Sequence, residues 1–254
     1  MGWFEPKCPV PDEEKAWVDH RMSWLASQFG IERLRTGTLV LPTEEFFPDP
    51  YDGSEEALGA MFRRVCGYMD IDPSRVTLSL FSDPQRINLV PGYSLVRTGP
   101  GAAGLYDADG PVTIWVETGQ RDSPMIMVAV MAHELSHFHL IGGGRVSPEE
   151  DTDHEPLTDL TALFFGLGIF GANSVFQYTQ SADSIMYRWA VRGAGYLTHR
   201  VYAYALALYA WARGDTSPDW TSHLCVNVRG KFKSGLRYLV KTGDTGFRPQ
   251  GLAQ

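Results

Sequence analysis

His133-Glu134-Leu135-Ser136-His137 sets two imidazoles four residues apart, with a carboxylate directly after the first. On an α-helix, positions i and i+4 share a face, so both rings can reach one metal ion while Glu134 lies beside it. The chemistry this supports is activation of a metal-bound water, with the glutamate taking the proton. The competing reading is a pair of hydrogen-bonded core histidines. The flanking residues decide between the two.

The motif must lie on a helix for its spacing to matter. Ser123 and Pro124 make an N-cap and first-turn pair, since proline's missing N–H costs nothing there. Met125 to Ala132 is apolar throughout, and Gly142, Gly143 and Gly144 supply a stop. A helix buried on most sides is expected, in which ionisable groups are costly unless something satisfies them. Downstream, Pro156 suits the first position of a second helix. Glu155 and Asp159 are then four apart and face the same way.

An H-E-x-x-H helix followed at this distance by E-x-x-x-D on a second helix resembles the gluzincin metallopeptidases of the thermolysin type. The resemblance covers about thirty residues of motif and spacing. It implies that His133, His137 and Glu155 bind Zn2+, and that Glu134 is the general base. It also implies that Asp159 accepts a hydrogen bond from His133 and fixes its tautomer, the role such a carboxylate plays behind a metal-bound histidine. A zinc-dependent hydrolase acting on a peptide or protein substrate is the implied function. The rest of the chain resembles compact bacterial metallopeptidases of unassigned substrate, without residues that fix a role.

The chain departs from this pattern at His154, where the thermolysin group usually has Asn or Gly. That imidazole could compete for the metal or face solvent at a helix start, and the second is expected. His139 falls on the far side of its helix from His137 and is expected to be an ordinary surface or hydrogen-bonded histidine. The thermolysin group stabilises the developing oxyanion with a tyrosine and a histidine. By residue type alone, Tyr196 and His199 are the candidates here, with Tyr202 close to the same helical face.

The surrounding elements read as follows. A helix from Asp12 or Glu13 to Phe29 closes at Gly30, with Trp17, Met22, Trp24 and Leu25 on its apolar side. Thr38 to Leu41 is a short strand stopped by Pro42, and 47–53 is a turn-rich loop. Ser54 caps a helix through Met69, and Val76 to Phe81 is a strand. Val112 to Glu117 alternates and is β-branched. It is expected to be the edge strand beside the active helix, paired with residues 103–106 through a turn at 107–110. Strands in the first half and helices in the second predict an α+β, zincin-like fold. A small mixed sheet would pack on the active-site helix, followed by a mainly helical C-terminal lobe. One domain over 1–254 is expected, with an α/β lobe at 1–122 and a helical lobe at 123–254.

A chain of 254 residues, 44% hydrophobic and 20% charged, can bury a sizeable core. Its formal charge of −8 disfavours nucleic acid or an anionic membrane as the main partner. Arg229, Lys231, Lys233, Arg237 and Lys241 read as the solvated face of a terminal helix. Cys8, Cys66 and Cys225 form neither a disulfide framework nor a metal motif. The N-terminus carries no signal-peptide pattern, and the glycines in the apolar run 160–176 suit close packing in a core. These features predict a cytoplasmic protein. The alternative function is a non-catalytic zinc-binding interaction protein with a zincin fold, against which an intact Glu134 argues. Hydrolysis of a non-peptide amide or ester would use the same residues.

Overall fold

The computed structural model describes residues 6–81, 104–107, 112–180 and 197–248. Helix α1 (Asp12–Phe29) buries Val18, Met22 and Leu25 along one side. Gly30, with φ of 84°, adopts a conformation that side chains disfavour and turns the chain straight into α2 (Ile31–Thr36). Residues 38–41 are not a strand. The Val40 N–H instead donates to the Gly166 carbonyl at 3.0 Å. The extended shape read from these residues needs a backbone partner, and the fold supplies a helix bulge in place of a sheet.

Helix α3 (Glu55–Tyr68) begins at Ser54, whose hydroxyl accepts the Ala57 N–H at 3.2 Å. Strands β1 (Thr77–Phe81), β2 (Gly104–Asp107) and β3 (Thr113–Glu117) form a mixed sheet in the order β1-β3-β2. β1 runs parallel to β3, with Thr77 opposite Thr113. β2 runs antiparallel to it, with Tyr106 opposite Ile114. The strand expected at the edge is therefore the middle one, because both of its backbone edges are taken. Among the described residues β1 and β2 hold the two edges. The turn expected between β2 and β3 lies, past Asp107, outside the described residues. Ile114 and Val116 are buried, and helix α4 packs against both β2 and β3.

Helix α4 (Pro124–Leu140) carries the motif. Pro124 sits in its first turn, but Ser123 makes no side-chain cap. The Ser123 carbonyl instead accepts from Ile126 and Met127. Helix α5 (His154–Ala162) starts two residues before Pro156. Proline is tolerated at this third position because first-turn N–H groups have no intrahelical partner. α5 runs through a π-helical turn (Leu163–Leu167) into α6 (Gly168–Gln180). The span His154–Val175 is long and apolar enough to cross a membrane, yet 89% of its most apolar window is buried inside the protein. A largely apolar helix covered by its neighbours is a core helix.

Helices α7 (His199–Ala212) and α8 (Val226–Thr242) pack as a pair. α1 and α2 rest on α7, and α1 also touches α5. Leu25 of α1, Met131 of α4, Phe164 of the π-turn, Tyr204 of α7 and Phe232 of α8 belong to one continuous core. The mixed small sheet and mainly helical content match the α+β expectation.

Candidate metal centre

α4 and α5 pack together, and their facing turns build the site. His133 and His137 stand one turn apart on α4, their rings 5.0 Å apart and crossed at 85°. Opposite them, α5 presents Glu155, Thr158 and Asp159, which are i, i+3 and i+4 along one face. All five side chains belong to buried residues. Glu155 Oε2 lies 3.2 Å from His133 Nε2 and 3.7 Å from His137 Nε2. One atom from each of the three falls within 4.8 Å of the others.

The far side of each ring is tied to α5. His133 Nδ1 lies 2.9 Å from Asp159 Oδ1. A carboxylate only accepts, so His133 carries its proton at Nδ1. His137 Nδ1 lies 3.3 Å from Thr158 Oγ1, whose hydroxyl donates to the His154 carbonyl at 2.8 Å. The Thr158 proton is thus engaged, and its lone pair receives the His137 Nδ1–H. Both Nε2 atoms then converge on one carboxylate oxygen, where a second proton on His133 or a cation can sit. Such acceptors repel one another in a buried site unless a cation or proton lies among them. Two imidazole nitrogens and a carboxylate oxygen are the donor set of an open Zn2+ site. The residues fit the metal.

Asp159 is itself held from behind. Its Oδ2 accepts the Leu197 N–H at 3.0 Å, and the buried Tyr202 hydroxyl also hydrogen-bonds the carboxylate. Burial alone would lower the His133 pKa, but hydrogen bonds to Asp159 and Glu155 outweigh it and raise it well above 6.5. Burial, with His133 adding to it, pushes His137 down to about 3, so that ring stays neutral. Burial pushes the Glu134 carboxyl up to about 8, against the pull of His133. Glu155 is buried too, yet its hydrogen bonds with His133 and His154 hold it well below the usual carboxylate range.

His154 does not face solvent as expected. Its Nδ1 lies 2.9 Å from the Asp151 carbonyl oxygen, its Nε2 lies 3.5 Å from Glu155 Oε1, and its side chain is only 15% exposed. The bond to Asp151 folds the ring back over the helix start and toward Glu155. His139 bonds the Met69 carbonyl at 2.7 Å and stacks on Phe165, away from the ligand group. His199 opens α7 half-buried, with Lys231 and Arg200 as its charged neighbours. Among the described contacts, none joins it to the two motif histidines, Glu134 or Glu155. Tyr196 lies outside the described residues. Tyr202 hydrogen-bonds Asp159, the carboxylate that also holds His133 Nδ1. Thr158 escaped sequence reasoning, although its place between Glu155 and Asp159 on one helical face was a usable signal.

No protein-family model, no curated protein and no solved structure matches this chain. The molecule contains a buried His–His–Glu group able to hold a metal ion.

Proposed function

We propose that the protein is a zinc-dependent metallohydrolase of the gluzincin plan that cleaves peptide bonds. The observation that carries this reading is the convergence of His133 Nε2, His137 Nε2 and Glu155 Oε2, with both Nδ1 atoms tied to α5. When bound, zinc supplies an acidified water, with its pKa lowered to about 7, and a Lewis-acid contact for a carbonyl oxygen. Glu134 accepts the water's proton on its carboxylate and hands it to the leaving amine nitrogen. Burial keeps the Glu134 carboxyl's affinity for a proton high, which suits it to accept one. Asp159 and Thr158 keep the two rings in the ligating tautomer.

Several features support the finer parts of the reading. β2, at the sheet edge against α4, offers backbone groups with which an extended peptide can pair. In sequence Tyr196 precedes Leu197, whose N–H bonds Asp159, and His199 opens the helix two residues later; these are the residues we assign to the carbonyl oxygen. The charge of −8 supports a partner other than nucleic acid or an anionic membrane. Three free thiols and a covered apolar helix support a single-domain cytoplasmic protein. A non-catalytic zinc module would need no carboxyl at position 134.

The test is metal content together with turnover. Protein grown with zinc should carry one metal per chain, lost in His137→Ala. Glu134→Gln should keep the metal and lose cleavage of a peptide library read by mass spectrometry. Undiminished cleavage by Glu134→Gln would sink the mechanism, and absence of stoichiometric metal in the wild type would sink the metal centre.

A further inference from the structure

Glu155 is the second residue of α5, in a helical turn that lacks side-chain capping. Helix ends fray, and a ligand in the first turn is held less firmly than one in mid-helix such as His133 or His137. Asp153 occupies the N-cap position, where an aspartate ordinarily accepts the N–H of the second or third helical residue. Here it makes no such bond. Its carboxylate turns instead to α1, accepting Trp17 Nε1–H at 2.7 Å and Arg21 Nε–H at 2.8 Å on Oδ2. Arg21 Nη2 donates to the other oxygen, Oδ1, at 2.5 Å.

We propose that Arg21, with Trp17, is a positioning residue for the third metal ligand, acting by clamping Asp153 two residues before Glu155. A bidentate guanidinium–carboxylate pair fixes direction as well as distance, and the indole N–H adds a third restraint. Three donors from one helix thus locate the start of another. A capping bond would only stabilise the turn internally and would leave its position against α4 free. Metal bonds tolerate displacement of only about 0.2 Å, so the place of the turn in space is what ligation requires. Arg21 also lies over Trp24, 5.7 Å from the ring centroid, which holds the guanidinium in its fork.

This inference rests on the proposed metal centre. Its test is zinc affinity, measured by competition with a chromophoric chelator on fully folded protein, supported by the visible spectrum of the cobalt-loaded form. Arg21→Ala and Trp17→Phe should each weaken zinc, Arg21→Ala by up to about tenfold, the low end of the effect of losing a group that holds a ligand directly. Arg21→Ala and Asp153→Ala should be non-additive, since both remove one clamp. Asp153→Ser separates positioning from helix stability, because serine is a good N-cap with no reach to α1. It should lose affinity as Arg21→Ala does. Asp19→Asn alters a different α1 link, to Tyr204 and the Gly246 N–H, and should lower stability with zinc affinity unchanged. Wild-type affinity in Arg21→Ala, or full affinity in Asp153→Ser, overturns the clamp while leaving the metal centre standing. A wild type that binds no zinc overturns the centre itself.

Discussion

Asp159 and His133 are joined through Oδ1 and Nδ1 at 2.9 Å, while the second oxygen of that carboxylate is held by the Leu197 N–H at 3.0 Å. One buried acid thus links α4 to the start of α7. Asp159→Asn sharpens the point, because the amide has one acceptor and one donor where the fold needs two acceptors. Either His133 loses its partner or the Leu197 N–H faces an amide N–H. Zinc affinity should fall about 10–100-fold, read by chelator competition. Unchanged affinity would show that His133 needs no orienting acid.

Thr158→Val keeps the shape of the residue and removes the acceptor facing His137 Nδ1. That contact is longer than the one to Asp159, at 3.3 Å, and neutral on both sides. A neutral hydrogen bond contributes about 1 kcal/mol, so the expected loss in zinc affinity is about fivefold. A larger loss than in Asp159→Asn would reverse the ranking proposed for the two supports.

Metal removal should lower thermal stability without unfolding the chain. Free zinc at a hundred times its Kd adds about 2.7 kcal/mol to a folded state that alone binds it. For a protein of this size that is a Tm difference of roughly 5–10 °C between zinc-loaded and EDTA-treated samples. The core extends well beyond the ligands, into α1, α7 and α8, so the chelated protein should keep its far-ultraviolet circular dichroism. Identical melting curves with and without zinc would contradict binding.

Gly166 sits in the π-turn with φ of +94°, and a Cβ there would meet the Thr38 carbonyl oxygen at 2.0 Å. Gly166→Ala combines a disfavoured backbone with a clash against main chain that cannot swing aside. A loss of about 3 kcal/mol or more in urea unfolding is expected. A near-neutral result would mean that the 38–40 segment is free to withdraw.

Burial pushes the Cys66 thiol from 9.0 up to about 12. Its raised pKa means that the folded state keeps a proton that the unfolded state has released. The contribution is therefore complete below pH 9 and is lost as pH rises toward 12. Relative to Cys66→Ala, wild-type stability should fall across that window with a slope of at most about 1.4 kcal/mol per pH unit. In native protein at pH 8, alkylation should spare Cys66 and reach it only after unfolding. Equal labelling of all three cysteines would show that the site opens.

The candidate ligands were legible because they obey helical spacing. His133 and His137 share a face at four residues, as Glu155 and Asp159 do, and both pairs needed only helices to become geometry. Capping and pairing were less legible. Ser123 and Asp153 both have capping chemistry, yet neither caps, and Asp153 is turned away by partners more than a hundred residues earlier. Residues 38–41 have strand composition, but their backbone partner is a bulge in a distant helix. Val112 to Glu117 was readable as a strand, while its central place depends on which strands arrive on each side.

What local sequence determined here is the donor set: two imidazoles, a glutamate between them and a carboxylate pair downstream, each on a helix whose period aligns them. Only tertiary structure decided that α5 lies against α4 with Glu155 Oε2 between the two Nε2 atoms. It also decided that Thr158 and Asp159 take the Nδ1 sides, and that Arg21 and Trp17 reach Asp153. Spacing along one helix is set by covalent geometry and hydrogen bonding within a few residues. The distance between two helices is set by the packing of the whole core, to which residues from both halves of the chain contribute.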